Sequence, residues 1–439
     1  MITEVQIENY KSIQKLKLGL GRVTVFIGEN GCGKSNILEA IALASAAANN
    51  KLDNEFLVSR GIRVTEPEFM RSAFDEENLK KEIRISLKRT DKTVFNCVIQ
   101  HDNGTYSNWN KVVEINKHEE LVNVLEKAEN NLTSEQLLPV LTKSIQDAID
   151  KIQDKIQDKI QDNISHNLRE FKEENPHAEE DEISSYIKEA SIETVNNHIQ
   201  PIIQEYIQEA FMFKQSSFGL KNFIIYSPEN SSLRVFEKEG QIQPLGIKGE
   251  GLFKLLKVLS LDKESDKIGE IKEKLKLIDW FQDFEIPQGS FDSERSIQIK
   301  DRYLDENLPY FDQKSSNEGF LFLMFYFALF VSSDTPKFFA IDNIDASLNP
   351  KLCSRLVKEL VELAKKYDKQ VILTTHNPAI LDGLNLDNDE QRLLAIYRNK
   401  DGHTKAKRIL KPEPLEGQQP VKLSEAFMRG YIGGLPKGF

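Results

Sequence analysis

Short apolar bursts at both ends of the chain flank a long polar stretch whose apolar residues recur at helical spacing. Ile2 to Ile7 alternates with the period of two of a half-buried strand, and Val23 to Ile27 is a continuous apolar run of strand length. The second run ends in a glycine-rich turn ahead of helix-forming sequence from Lys34 to Ala48, which predicts a strand, loop, helix unit. Within Lys81 to Gln100, EIRISLKR and TVFNCVIQ are joined at Thr90 to Lys92 and predict an antiparallel hairpin in a small β-lobe.

From about Glu114 to Phe213 glycine is absent and polar residues dominate. Ile145, Ile149, Ile152, Ile156, Ile160, Ile164 and Leu168 step by three or four residues, one apolar stripe along a long helix. The repeated IQDK overshoots the turn of the helix, so the stripe drifts around the axis and does not build a long straight coiled coil. Pro176 lies in an acidic turn before a second helix, Ile183 to about Glu209. The two helices form an antiparallel hairpin, either a lobe packed on the remainder or an arm that reaches a partner. Beyond it, FIIYSP returns to strand, GIKGEGLFKLLKVLSL opens a helix, and Gly319 to Val331 is an apolar helix. Lys337 to Ile341 and Gln370 to Thr374 read as buried strands around an amphipathic helix, Pro350 to Tyr367. The alternation implies an α/β fold with a mainly parallel sheet.

At 439 residues the chain is long enough for two or three structural units. The longest apolar run, Phe320 to Val331, falls short of the roughly 20 residues of a membrane span and reads as a core helix. The N-terminus MITEVQIENYKSI lacks the order of a signal peptide, so a cytoplasmic protein away from membranes is expected. The three cysteines, Cys32, Cys97 and Cys353, have neither disulfide nor zinc spacing. A net charge of -11 gives no support to bulk electrostatic coating of nucleic acid. His101, His118, His166, His177, His198 and His403 lie in polar sequence and read as surface residues.

Chemistry enters with GENGCGKS, Gly28 to Ser35, which fits the P-loop pattern G-x-x-x-x-G-K-S between a strand and a helix. Gly28, Gly31 and Gly33 let the backbone bend so that amides of the loop, which includes Glu29, Asn30 and Cys32 and runs on to Asn36, face phosphate oxygens. Lys34 reaches the β- and γ-phosphates of ATP, and Ser35 ligates Mg²⁺. Cys32 could be a redox thiol, or a residue that fills the loop. Asp342 ends the strand KFFAI, as expected of the acid that holds Mg²⁺ through water.

These motifs, followed by SLNP and VILTTHNP, resemble the ABC-type, AAA-family P-loop ATPases of the RecF, RecN and structural-maintenance-of-chromosomes (SMC) group. IENYKSI resembles that group's first strand and turn, FFAIDNIDASLNP its Walker B strand and D-loop, and LTTHNP its switch-histidine strand. With the polar stretch read as a helical insertion at 115–213, the resemblance implies an ATPase head in two parts, 1–114 and 214–405; the tail at 406–439, amphipathic in LSEAFM with glycine and proline near its end, suggests docking. The resemblance puts His376 near the γ-phosphate and Lys11 near the phosphates. KSSNEGFLFLMF stands where the signature belongs, with Gly319 as the signature glycine, Asn317 at the usual serine, and Ser315 and Ser316 just upstream. The group's glutamate after the Mg²⁺ aspartate is replaced by Asn343, an amide that can orient water without accepting its proton. Hydrolysis is then slow, or proceeds through Asp345. The resemblance further implies a head-to-tail homodimer or higher homo-oligomer around ATP.

With IDNIDASLNP, IYSPEN, GIKGEGL and a short helical insertion, and with no toprim-like carboxylate cluster or HNH-type histidine pair, the chain resembles the ATPase subunits of Septu-type and retron-associated anti-phage systems, which act with a separate nuclease-like effector. A RecF-like ATPase that clamps DNA, and an ATP-locked scaffold without turnover, are the alternatives.

Overall fold

The computed structural model describes residues 1–116 except 105–106, and 219–432 except 221, 237–241, 262–265, 288–295, 309 and 412–420. The chain divides into two compact units, Met1–Ile115 with Gly219–Phe439, and Asn116–Phe218. The predicted helical hairpin with its IQDK stripe lies outside the described residues, as do His118, His166, His177 and His198.

Strands β1 (Ile2–Tyr10), β2 (Ile13–Gly19), β3 (Val23–Ile27), β4 (Ile83–Arg89), β5 (Val94–Gln100), β6 (Asn110–Asn116), β7 (Ile225–Tyr226), β8 (Phe281–Glu285), β9 (Gln298–Asp301), β10 (Phe311–Asp312), β11 (Phe338–Ile341), β12 (Gln370–Thr375), β13 (Gln391–Arg398) and β14 (Thr404–Ile409) form three sheets. The helices that matter to the site are α1 (Lys34–Ala48), α2 (Glu318–Val331), α3 (Pro350–Lys366) and α4 (Leu423–Met428).

The central six-stranded sheet runs β14-β13-β3-β12-β11-β7, and all its pairings are parallel except β13 with β14. Every residue of β3, β11 and β12 is buried. That suits a parallel sheet covered on both faces, where strands read as unbroken apolar runs. Register sets which strand ends meet. Leu373 pairs with Val25 on one side and Ile341 on the other, so the C-terminal ends of β3, β11 and β12 emerge at one edge. Three segments therefore converge there: the loop after β3, Asp342 after β11, and Thr374 to His376 at the end of β12.

The β-lobe is larger than the hairpin predicted. β4 and β5 pair antiparallel as expected, but β1 and β2 join them in a sheet ordered β2-β1-β4-β5-β6. The third sheet, β10-β9-β8, was not foreseen, because its strands are two to five residues long. β6 runs into the segment assigned to the helical insertion, and β14 into the segment assigned to the tail.

α2 is buried along its whole length from Phe320 to Val331. Its aromatics lock it in place: Phe330 packs edge-on against Phe339 of β11 at 5.2 Å between ring centroids, and Phe320 lies 5.4 Å from Trp280. Such pairs contribute about 0.5–1.5 kcal/mol each beyond the area they bury. No helix among the described residues is long and apolar enough to cross a membrane. Contrary to the surface position expected, the His101 side chain is 4% exposed, packed on Trp109 and hydrogen-bonded to the Asn103 amide.

Candidate functional site

The loop Gly28 to Gly33 is built by close packing against the β13–β14 hairpin. Gly33 has φ 106°, a region that favours glycine, and a Cβ there would come within 2.1 Å of Thr404 Oγ1. At Gly28 a Cβ would meet Ile396 O at 2.1 Å. Thr404 Oγ1 donates to Cys32 O (2.9 Å), and Arg398 Nε donates to Gly31 O (2.9 Å). Ser12, in the β1–β2 turn, joins Thr404 (2.7 Å) and accepts from Asn36 Nδ2 (2.6 Å). Asn30 and Gly31 are exposed at the tip. Cys32 is buried against Gly28, and burial pushes its thiol pKa up, which favours the loop-filling reading over a redox thiol.

Lys34 begins α1. Its Nζ donates to Gly28 O (2.8 Å) and Glu29 O (2.9 Å) and lies 3.5 Å from His376 Nδ1. Burial lowers its pKa. One residue on, Ser35 Oγ donates to Asp342 Oδ2 at 3.0 Å.

The two threonines that end β12 hold the two aspartates that follow β11. Thr374 Oγ1 accepts from the Asn343 amide (2.9 Å) and donates to Asp342 Oδ1. Thr375 Oγ1 accepts from the Asn377 amide (2.9 Å) and donates to Asp345 Oδ1 at 2.6 Å. In each case the amide donates to one lone pair of the hydroxyl, whose one proton goes to the carboxylate; for Thr375 the other acceptor, Asn377 O, lies farther off at 3.4 Å. The negative charge of Asp345 reaches both Lys34 and His376. Asn343 sits at φ 56°, a left-handed conformation that Asn tolerates better than most residues. The His376 pKa is lowered, first by burial and then by the Lys34 charge, so its ring is neutral at pH 7.

Other expected residues stand elsewhere. Lys11 Nζ is held by the buried Glu39 carboxylate and the Arg63 carbonyl (2.8 Å), not by the loop. Arg63 also pairs with Glu39 and donates through Nη2 to Asn36 Oδ1 at 3.0 Å. At the start of α2, Asn317 caps the helix by accepting from the Phe320 amide (2.9 Å). Ser316 is buried and its hydroxyl has no partner among the described residues, whereas Ser315 and Asn317 are exposed. A Cβ on Gly319 would lie 3.3 Å from Ser347 O, so the helix start and the D-loop touch within the chain.

The donor set fits Mg²⁺ with nucleotide. A hydroxyl and a carboxylate converge beside an ammonium, and Mg²⁺ takes few protein oxygens because it keeps waters and phosphate oxygens. Sequence reasoning missed Thr374, Thr375, Ser12, Arg398, Thr404 and the Glu39 cluster. Only the two threonines carried a signal, as the polar tail of an otherwise apolar strand.

The family model described as AAA ATPase domain matches residues 1–381. An uncharacterised protein of Methanocaldococcus jannaschii is 32% identical over 123 residues, covering 26% of this chain and 53% of that protein. The DNA replication and repair protein RecF of Bacillus thuringiensis is 40% identical over 55 residues, covering 12% of this chain and 15% of RecF. The chain thus spans 53% and 15% of the lengths of these two relatives. Among solved structures, an Smc head bound to the C-winged helix domain of ScpA has TM-score 0.50 at 14% identity, covering 93% of this chain and 98% of that one. That likeness is one of fold: an ABC-type ATPase head.

Proposed function

The chain belongs to the AAA ATPase domain family, and from that premise we propose that it binds ATP with Mg²⁺ in the loop Gly28 to Asn36 and hydrolyses it slowly. The observation that carries this reading is the convergence of Lys34, Ser35, Asp342, Asp345 and His376 at one edge of the central sheet. Lys34 supplies positive charge to the phosphates, and Ser35 and Asp342 hold the metal, which when bound neutralises charge that develops on the phosphates. Asp345 accepts the proton of the attacking water in the role that Asn343 cannot fill. Thr375 binds one of its oxygens and leaves the other for that task. Neutral His376 orients the water or the γ-phosphate by hydrogen bonding.

Two heads join around ATP, with Ser315, Asn317 and Gly319 facing the partner's nucleotide. Titration with ATP by multi-angle light scattering tests this. Wild type goes from monomer to dimer and Lys34→Ala does not; a wild type that neither binds ATP nor changes mass overturns the reading.

The ATP state then governs a separate nuclease-like effector in anti-phage defence. The motifs IDNIDASLNP, IYSPEN and GIKGEGL, with no nuclease residues of the chain's own, support this role. Phage challenge of cells carrying the chain with its neighbouring genes is the test: Lys34→Ala should abolish protection, and unchanged protection refutes the role. The similarity to RecF favours a second reading, a DNA clamp. It requires duplex binding that appears with ATP and weakens steeply with salt.

A further inference from the structure

A groove of about 1200 Å³ lies between α3, the short helix Pro378–Gly383 and α4. Three cations of α3, Lys351, Arg355 and Lys358, are spaced by four and three residues and so share one helical face along it. Lys422 adds a fourth from the opposite wall. All four are exposed and have no carboxylate partner among the described residues. The carboxylates among the described lining residues are already committed. Asp382 accepts from Ser424 N (2.9 Å) and Oγ (2.7 Å), and Glu362 pairs with Lys274 (3.0 Å).

Four cations in one groove without a carboxylate partner among the described residues run against the composition of a chain with net charge -11. They also run against local helix energetics. Lys351 stands in the first turn of α3, where the helix dipole disfavours a cation, and no acidic residue balances it there. The arrangement suits an anionic ligand. Its chemistry follows from the rest of the lining: Val361, Leu384, Leu386, Val421 and Leu423 make part of the surface apolar, and no aromatic side chain stands among the described lining residues. A nucleic acid offers phosphates but nothing to cover aliphatic side chains, and would find no ring on which to stack a base.

We propose that this groove docks a peptide segment of a partner protein in which Asp or Glu residues flank leucine-like anchors. Two of the three segments that line the groove begin just after residues of the nucleotide site. α3 starts five residues after Asp345, and the Pro378–Gly383 helix starts two residues after His376. The proposal deepens the effector reading above by giving the partner a surface, and it does not depend on whether ATP is turned over.

Fluorescence anisotropy of the full chain with a short labelled peptide of leucines set among glutamates tests it, with the leucine-to-serine version and a labelled DNA duplex in parallel. The acidic leucine peptide should bind. Its affinity should fall about tenfold or more in the triple variant Lys351→Glu, Arg355→Glu, Lys358→Glu, in line with roughly two- to fivefold per lost exposed charge pair, and severalfold in the serine version. The single Lys358→Ala variant guards against misfolding and should show a smaller loss at an unchanged melting temperature. Equal binding to wild type and the triple variant, no peptide binding at all, or tighter binding of the duplex with displacement of the peptide overturns the proposal. ATP binding by the same sample separates the two readings: a protein that binds ATP and ignores the peptide removes the groove proposal alone.

Discussion

Thr375 accepts from the Asn377 amide and donates its only proton to Asp345 at 2.6 Å, the nearer of its two acceptors. If Asp345 is the base, Thr375→Val leaves the carboxylate free to turn away and should lower kcat about ten- to a hundredfold with KM for ATP little changed. Thr375→Ser keeps the hydroxyl and should recover most of that loss, whereas a purely structural role would be served as well by Val. His376 gives the sign of a pH effect. Its pKa is lowered by burial and by Lys34, so the neutral ring persists below the ordinary histidine value of about 6.5. The kcat/KM for ATP, which reports the free enzyme, should show no loss from His376 protonation until the pH is below that value; a His376-dependent fall centred at or above it contradicts the assignment. At this scale spacing alone singled out Lys34 and Asp342, which the fold brings to one edge of the sheet beside Ser35 and His376. The ion pair of Lys11 with Glu39 and the burial of Ser316 were not, since both depend on segments that meet only in the fold.

The elements that frame the site were legible where one physical signal dominated. β3, α1 and α2 match their predicted spans within a residue, because β3 is an unbroken apolar run ending at the glycines of the loop and the two helices are long runs of helix-forming or apolar residues. β13 and β14 were missed, yet the hairpin they form clasps the loop through Thr404 and Arg398. Their sequence, QRLLAIYR and TKAKRI, mixes buried and exposed positions without strict alternation. Gly33→Ala forces a Cβ into Thr404 Oγ1 at a positive φ, and should abolish detectable ATP binding in calorimetry. Thr404→Val removes the bond to Cys32 O and the tie to Ser12 while sparing every phosphate-binding group. It should weaken ATP binding severalfold; unchanged affinity would show that the hairpin merely abuts the loop.

Across the whole molecule the parallel sheet brings residues from opposite ends of the chain to one edge, which periodicity alone predicts as a fold class but not as a register. The far end of that sheet holds an ionisable group that no motif marked. Lys369 is buried, its Nζ donates to Thr335 O and Oγ1 (both 2.9 Å), and burial brings its pKa down to about 7. Below that pH both folded and unfolded chains keep the proton. Above it the folded chain sheds the proton while the unfolded one retains it up to the ordinary lysine value, so the unfolded state binds more protons and stability rises with pH. Between pH 7 and pH 9 the melting temperature of wild type should therefore gain relative to that of Lys369→Met; parallel curves would contradict a neutral buried amine.

If Asp345 is the base that allows ATP to be turned over at this site, steady-state hydrolysis by wild type, Lys34→Ala and Asp345→Asn measures that role directly. Wild type should turn over slowly but above the Lys34→Ala blank, and Asp345→Asn should fall to that blank with ATP binding retained. An Asp345→Asn protein that hydrolyses ATP at the wild-type rate would contradict that role.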